Sequence, residues 1–303
     1  MIEFHAPTPE DKLRYDAILA ASGKEGCEYN FVNLFLWGRQ KIAFFGEQVA
    51  FFSQFKRQSV YLFPIGTGDK KPVLDAIIHD AQTRGIPCRF TGLTGEECEM
   101  LQNLYPGKFC CHNDRDAFDY VYDINDLATL AGKKFQKKRN HLNRFRQNHP
   151  DAIVEPVTAE NLPRVKALAE TWYKLRLASD PQADFQLEQA ALNRAFRYRE
   201  ALGLEGLLLT CDGQDVAFTL GSRLSENTFD IHFEKALDIA DGAYPAINNH
   251  FANYLRSTYP ALAFLNREDD MGLEGLRKAK LSYNPHHLVE KCWVHLKEDG
   301  YDY

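Results

Sequence analysis

An imidazole and a carboxylate stand two residues apart in Thr228–Ala236, where Phe229, Ile231 and Phe233 alternate with Asp230, His232 and Glu234. Read as a strand, this spacing places His232 and Glu234 on one polar face, and either group can take a proton from an incoming nucleophile. The plainer reading is a solvated sheet face with no chemistry. The strand runs into Asp238-Ile239-Ala240-Asp241-Gly242-Ala243, and a helix is expected from about Pro245 to Ser257. Unpaired N–H groups at a helix start attract anions, and a glycine permits close backbone approach, so the Gly242 loop is a candidate phosphate or oxyanion cradle.

Cations supply the other half of the pattern. From Leu127 to Pro150 there is no acid, while Lys133, Lys134, Lys137, Lys138, Arg139, Arg144 and Arg146 supply seven positive charges. On a helix, turning about 100° per residue, Lys133, Lys137, Asn140 and Arg144 fall opposite the apolar line Phe135, Leu142 and Phe145. That arrangement describes a solvated face. Lys138 and Arg139 flank the apolar line instead, where a charge must snorkel or meet an anion. With Asn140 beside them they are candidate anion contacts. Late in the chain, Glu274 and Lys278 make an ordinary surface pair, but Lys280 shares the apolar face of Leu273 and Leu276. Lys280 and nearby Arg277 are therefore further candidates.

The elements that must hold these groups come from a chain of 303 residues, 45% apolar and 13% aromatic, enough for one large domain or two ordinary ones. The 42 acids against 36 bases, a formal charge of −6, exclude general adhesion to nucleic acid or anionic lipid over the whole surface and leave local patches open. No apolar span of membrane length exists and the first residues do not read as a signal peptide, so a cytoplasmic location is expected. Seven cysteines without a CxxC pair read as reduced and mostly core. Gly66-x-Gly68-x-Lys70-Lys71 lacks the spacing of a phosphate-binding P-loop. Cys110-Cys111-His112-x-Asp114 holds ligand types without metal-ligand spacing, His286-His287 with His295 offers three imidazoles around the last strand, and no metal is called for.

Helices are expected from Thr8 to Gly23, Phe31 to Gln40, Pro72 to Gly85 and Gly95 to Leu104, with strands over Lys41–Phe45, Val49–Phe55, Ser59–Pro64 and Cys88–Thr91. Farther on, Gly206–Cys211 and Val216–Leu220 flank an Asp212-Gly213 hairpin signal. Thr228–Ala236, the Pro245 helix, a strand over Ala261–Leu265, a helix over Asp270–Leu281 and a final strand over His287–Leu296 follow. This order, β-β-β-α-β-α-β, resembles that of a GNAT-type acyltransferase core.

Specific words sharpen the resemblance. Asp119-Tyr120-Val121-Tyr122, Asp126-Leu127, Leu130-x-Gly132-Lys133-Lys134 and Lys138-Arg139-Asn140 with Phe145 resemble the bacterial family related to the C-terminal region of phosphatidylglycerol lysyltransferases. So do Phe31-x-Asn33-Leu34-x-x-Trp37, His232-Phe233-Glu234-Lys235-Ala236 and the run from Asn266-Arg267-Glu268-Asp269-Asp270 to Ser282-Tyr283-x-Pro285. The resemblance implies an α/β (α+β) chain of two tandem GNAT-like domains, 1–125 and 126–303, each a mixed, mostly antiparallel sheet flanked by helices. It implies kinship with enzymes that move an aminoacyl group from aminoacyl-tRNA to a lipid headgroup or a peptidoglycan peptide. Those lysyltransferases carry an N-terminal membrane part that is not found in this sequence.

Acyl-CoA-dependent GNAT enzymes place a Gln/Arg-x-x-Gly-x-Gly/Ala loop where this chain has Asp238 to Ala243, with no basic first residue and an acid before the glycine. The departure argues against ordinary coenzyme A binding. Aminoacyl-tRNA and acyl-CoA remain the candidate donors, and no cofactor is certain. An acyl or aminoacyl transferase acting on an amine or hydroxyl would use Glu234 or His232 as base and the Gly242 loop as cradle. Lys138, Arg139, Asn140, Arg277 and Lys280 would be its anion contacts. Tyr283 is the acid that the fold likeness suggests for the leaving group. The competing expectation is a non-catalytic module that holds an anionic partner such as tRNA, a phospholipid headgroup or a nucleotide. Oligomeric state is not legible.

Overall fold

The computed structural model describes residues 1–55 and 58–299. In chain order the strands are β1 (Gln40–Phe45), β2 (Gln48–Phe55), β3 (Gln58–Leu62), β4 (Ile65–Gly66), β5 (Arg89–Leu93), β6 (Phe109–Asn113) and β7 (Asp119–Asp123). They continue with β8 (Ile153–Pro156), β9 (Glu205–Cys211), β10 (Gln214–Arg223), β11 (Thr228–Ala236), β12 (Phe264–Asn266), β13 (His287–Val289) and β14 (Cys292–Leu296). The helices are α1 (Lys12–Ser22), α2 (Phe31–Trp37), α3 (Lys71–Arg84), α4 (Gly95–Leu104) and α5 (Ile124–Thr129), then α6 (Gln136–Asn148), α7 (Leu162–Ser179), α8 (Gln186–Leu202), α9 (Ala243–Thr258) and α10 (Glu274–Leu281). The chain divides into two compact units: Met1–Asp119 with Asp269–Glu274 and the stretch from Leu288 on, and Tyr120–Glu268 with Gly275–His287.

The first unit is built on a sheet of order β1-β2-β3-β5-β14-β6, with β4 against β2. β3 and β5 run parallel and the other pairs are antiparallel. Helix α4 opens on a capping box, the Thr94 hydroxyl accepting from Glu97 N–H while the Glu97 carboxylate accepts from Thr94 N–H. Helices α3 and α4 turn Val73, Leu74, Ile77, Ala81 and Leu101 onto Phe90, Phe109, Val294 and Leu296 of the sheet, in one shared core. α2 is shorter than expected, stopping at Trp37 before Gly38.

The final strand departs from expectation. One strand over His287–Leu296 was to complete the second unit, but the segment makes two. β13 lies at the edge of the second sheet beside β7, whereas β14 inserts between β5 and β6 of the first. The break falls at Lys291, whose ammonium is buried in the first unit, 2.7 Å from Asp119 Oδ1 and 2.6 Å from Glu28 Oε2. Asp119 also accepts from Cys27 N–H at 2.7 Å. A buried ammonium needs such carboxylates, and they fix where the last segment turns. β6, β7 and β8 were not read from the sequence.

The second unit has the order β13-β7-β12-β11-β10-β9-β8. Asp212 and Gly213 take left-handed backbone (φ 52° and 77°) and close the expected hairpin between β9 and β10. β11 and β12 are parallel, joined through α9, and β12 is antiparallel to β7. Helix α9 packs on β9, β10 and β11, while α7 packs on β10 and β11. α6 buries Leu142 and Phe145, and Phe135 in the turn before it is fully buried, as the apolar line predicted. Among the described residues no helix is long and apolar enough to cross a membrane.

Candidate active site

The site grows from a mismatch in strand length within the second unit. β12 pairs with β11 only from Thr228↔Phe264 to Asp230↔Asn266, yet β11 continues to Ala236. Beyond Asp230, β11 therefore has no β12 partner, and the chain leaving β12 sends Arg267 and Glu268 along the opened edge. The register between β10 and β11 shifts at the same level, from Leu220↔Phe233 to Gly221↔Ile231, so His232 is the extra residue of a bulge.

Glu234 projects at this opening but is not a free carboxylate. One oxygen accepts from Arg267 at 2.8 Å and the other from Asn248 Nδ2 at 3.3 Å, with the two charged side chains 11% and 16% exposed. The Arg267 guanidinium lies 5.1 Å from the Tyr283 ring and 5.7 Å from the Tyr122 ring. His232 lies deeper, its side chain 1% exposed, with Nε2 2.8 Å from Ser222 Oγ and Nδ1 3.3 Å from Glu268 and 3.7 Å from Asp230. The polar face is thus a buried hydrogen-bonded layer rather than a wet one. Asp230, His232 and Glu268 bring ligand-type atoms within 4.8 Å of one another, but the imidazole is occupied by its hydroxyl and carboxylate neighbours.

Lys138 differs from all of these. α6 carries it half-buried over the Tyr283 ring, with Nζ 3.8 Å from the centroid. Among the described residues its amine makes no hydrogen bond and no ion pair. Burial, and next the nearby Arg267 charge, push the amine down to about 8. Burial also pushes the Tyr283 phenol up to about 12, holding it neutral. The Tyr122 hydroxyl donates to the Lys280 carbonyl at 2.9 Å, and the Lys280 amine donates to the carbonyls of Arg267 (2.5 Å) and Glu268 (3.1 Å).

The sequence candidates separate accordingly. Glu234, Lys138 and Tyr283 come together around Arg267, with the Lys280 amine bracing the backbone of that arginine. Lys280 thus donates to two backbone carbonyls at this position. Arg139 is likewise engaged by backbone, donating to the carbonyls of Leu130 and, at 2.9 Å, Gly132. Asn140 is exposed on α6, and Arg277 lies half-buried on α10. Gly242 faces α6: at φ 92°, a Cβ there would meet Phe145 Cβ at 3.0 Å and the His141 carbonyl at 3.3 Å. The close approach of α6 to the start of α9 accounts for this glycine. Arg267 was missed as a site residue, and so were Asn248 and Ser222. The one sequence signal is a basic residue just after a short apolar strand, in Asn266-Arg267-Glu268-Asp269-Asp270.

Comparison with known proteins matches residues 19–295 to the family model described as phosphatidylglycerol lysyltransferase, C-terminal. A conserved protein of unknown function from Bacteroides thetaiotaomicron superposes with a TM-score of 0.92 and 38% identity, covering 98% of this chain and 100% of that one. L-PGS from Bacillus licheniformis gives 0.70 at 17% identity over 98% and 94% of the two chains. A tandem GNAT protein from the clavulanic acid biosynthesis pathway gives 0.51 at 8% identity over the full length of both. These likenesses show a tandem GNAT-like fold. An uncharacterised protein of Mycoplasmoides gallisepticum is 30% identical over 207 residues, 67% of this chain and 63% of its own length.

Proposed function

Because the chain belongs to the phosphatidylglycerol lysyltransferase C-terminal family, we propose that it is an aminoacyltransferase. It would move an aminoacyl group from aminoacyl-tRNA to an amine or hydroxyl acceptor in the opening between β11 and β12. The observation that carries this reading is that a half-buried amine, Lys138, and the guanidinium of Arg267, which Glu234 holds in place, both lie against the Tyr283 ring. Acyl transfer passes through a tetrahedral oxyanion, and a fixed guanidinium in a poorly solvated site stabilises such charge far better than mobile water does. Glu234 contributes as the anchor of Arg267, and Tyr283 contributes the ring that supports Lys138 and a neutral phenol.

The donor is favoured over acyl-CoA because Gly242 is filled by α6 and the loop before it carries Asp238 and Asp241, with Asp241 paired to Arg144. The test is to incubate the full chain separately with labelled aminoacyl-tRNAs and labelled acyl-CoAs, each with amine acceptors and with phosphatidylglycerol vesicles. Label passing from tRNA to an acceptor, and lost in Arg267→Met, is the expected result. Salt-sensitive binding of tRNA with no label ever leaving it would refute transfer and favour a module that holds its anionic partner without chemistry.

A further inference from the structure

Transfer to an amine or hydroxyl requires a group that accepts the nucleophile's proton, and the sequence pattern nominates Glu234 or His232. Neither is as open to an incoming group as Lys138, since Glu234 is ion-paired to Arg267 and the His232 side chain is 1% exposed. Each Glu234 oxygen already accepts a hydrogen bond, and both His232 nitrogens face a hydroxyl or a carboxylate inside the sheet. The Lys280 amine is spent on two carbonyls and the Tyr122 hydroxyl on a third. Lys138 Nζ alone in this set meets only an aromatic face.

Resting on the transferase reading, we propose that the Lys138 amine is the catalytic base that takes the proton from the incoming nucleophile. The acceptor's amine or hydroxyl attacks the ester carbonyl, forming the new C–N or C–O bond, and its proton passes to neutral Lys138 Nζ. The carbonyl π pair becomes an oxyanion beside Arg267. Collapse of that intermediate breaks the ester C–O bond, and the Lys138 ammonium returns its proton to the departing oxygen. Donor ester and acceptor thus become acylated acceptor and free hydroxyl, with no other reagent required.

The surroundings suit that cycle. Arg267 opposes a second positive charge on Lys138, and Glu234, whose charge would favour one, is turned to Arg267. From α10 and the turn after it, the Tyr283 ring supports the ammonium once formed, while the Lys280 charge is directed at backbone carbonyls. Tyr122 on β7 is held neutral by burial. On α6 itself Arg139 is tied to carbonyls and His141 lies near Arg144. On α9, burial and then Arg146 lower the His250 imidazole. An amine near 8 is largely free to accept a proton at mildly alkaline pH, as a general base must be.

Two measurements test the assignment, one independent of turnover. Competitive acetylation of the full chain with acetic anhydride from pH 6 to 11, read peptide by peptide, should give Lys138 a midpoint near pH 8, well below the surface lysines. A Lys138 midpoint among theirs overturns the assignment, whatever donor reacts. In the transfer assay, the rate should fall about tenfold per pH unit below about 8. Lys138→Arg, which keeps a cation over Tyr283 but cannot accept a proton near neutrality, should be as slow as Lys138→Gln. An arginine variant with the wild-type rate shows a charge contact instead of a base and overturns the proposal while leaving the transferase reading intact. Absence of transfer from every donor, with the low midpoint still present, counts against the transferase reading and not against the free amine.

Discussion

Lys138→Met should make the protein more stable at neutral pH while removing its chemistry. The change keeps an unbranched stem against Tyr283 and deletes an ammonium that the fold holds half out of water. The amine is at about 8 in the native state against an ordinary value of 10.5. At 1.36 kcal/mol per pKa unit, that difference corresponds to an upper limit of about 3 kcal/mol. Solvent reaches part of the side chain, which reduces the expectation to about 1–2 kcal/mol. The sign follows from proton counting. The native value lies below the unfolded one, so the unfolded chain binds more protons between them, and native stability rises with pH across that window. The penalty is fully present below about pH 8 and disappears as pH approaches 10.5. Urea unfolding followed by tryptophan fluorescence at pH 7 and pH 10 should show a midpoint gain for the variant at the first pH and about a quarter of that gain at the second, with unchanged slope. A variant less stable than wild type at pH 7, or a gain indifferent to pH, would refute a desolvated ammonium at this position.

Arg267→Met leaves the Glu234 carboxylate buried without its ion-pair partner, a change that typically costs about 3–5 kcal/mol. Adding Glu234→Leu should recover more than half of the loss in the same unfolding assay, and a double variant as unstable as the single one would contradict it. Gly242→Ala forces a left-handed residue with its Cβ against Phe145, so a loss of about 1–3 kcal/mol is expected in thermal or urea melts. An unchanged midpoint would mean that α6 and α9 part easily.

Some of this chemistry was visible in one dimension. The wheel that set Lys138 against the flank of Phe135, Leu142 and Phe145 located a cation that could not be fully hydrated, because burial of an apolar stripe constrains its neighbours directly. The same wheel gave Arg139 an identical status, and the structure separates the two. Arg139 meets carbonyls left open where α5 ends at Leu130, whereas Lys138 meets a ring supplied from about 145 residues farther along. Partners of that kind are set by tertiary approach and leave no periodic trace. Alternation along Thr228–Ala236 was legible, but the bulge at His232 and the early end of β12 were not, since both depend on registry with other strands. Arg267 escaped notice for the same reason: only the divergence of β11 from β12 turns a loop arginine into the partner of Glu234. At Gly242, a glycine before a helix reads equally well as a ligand cradle or as a place where another helix comes close.

The position of β14 between β5 and β6 bears on how the polypeptide is made. During vectorial synthesis, β5 and β6 leave the ribosome long before Cys292–Leu296, and until then the facing edge of each lacks its hydrogen-bonding neighbour. The second unit has all its residues by that stage, while the first must wait with an open seam for the final strand. Messages truncated shortly before Cys292 would therefore yield a nascent chain whose opening half, not its closing half, clumps or is digested.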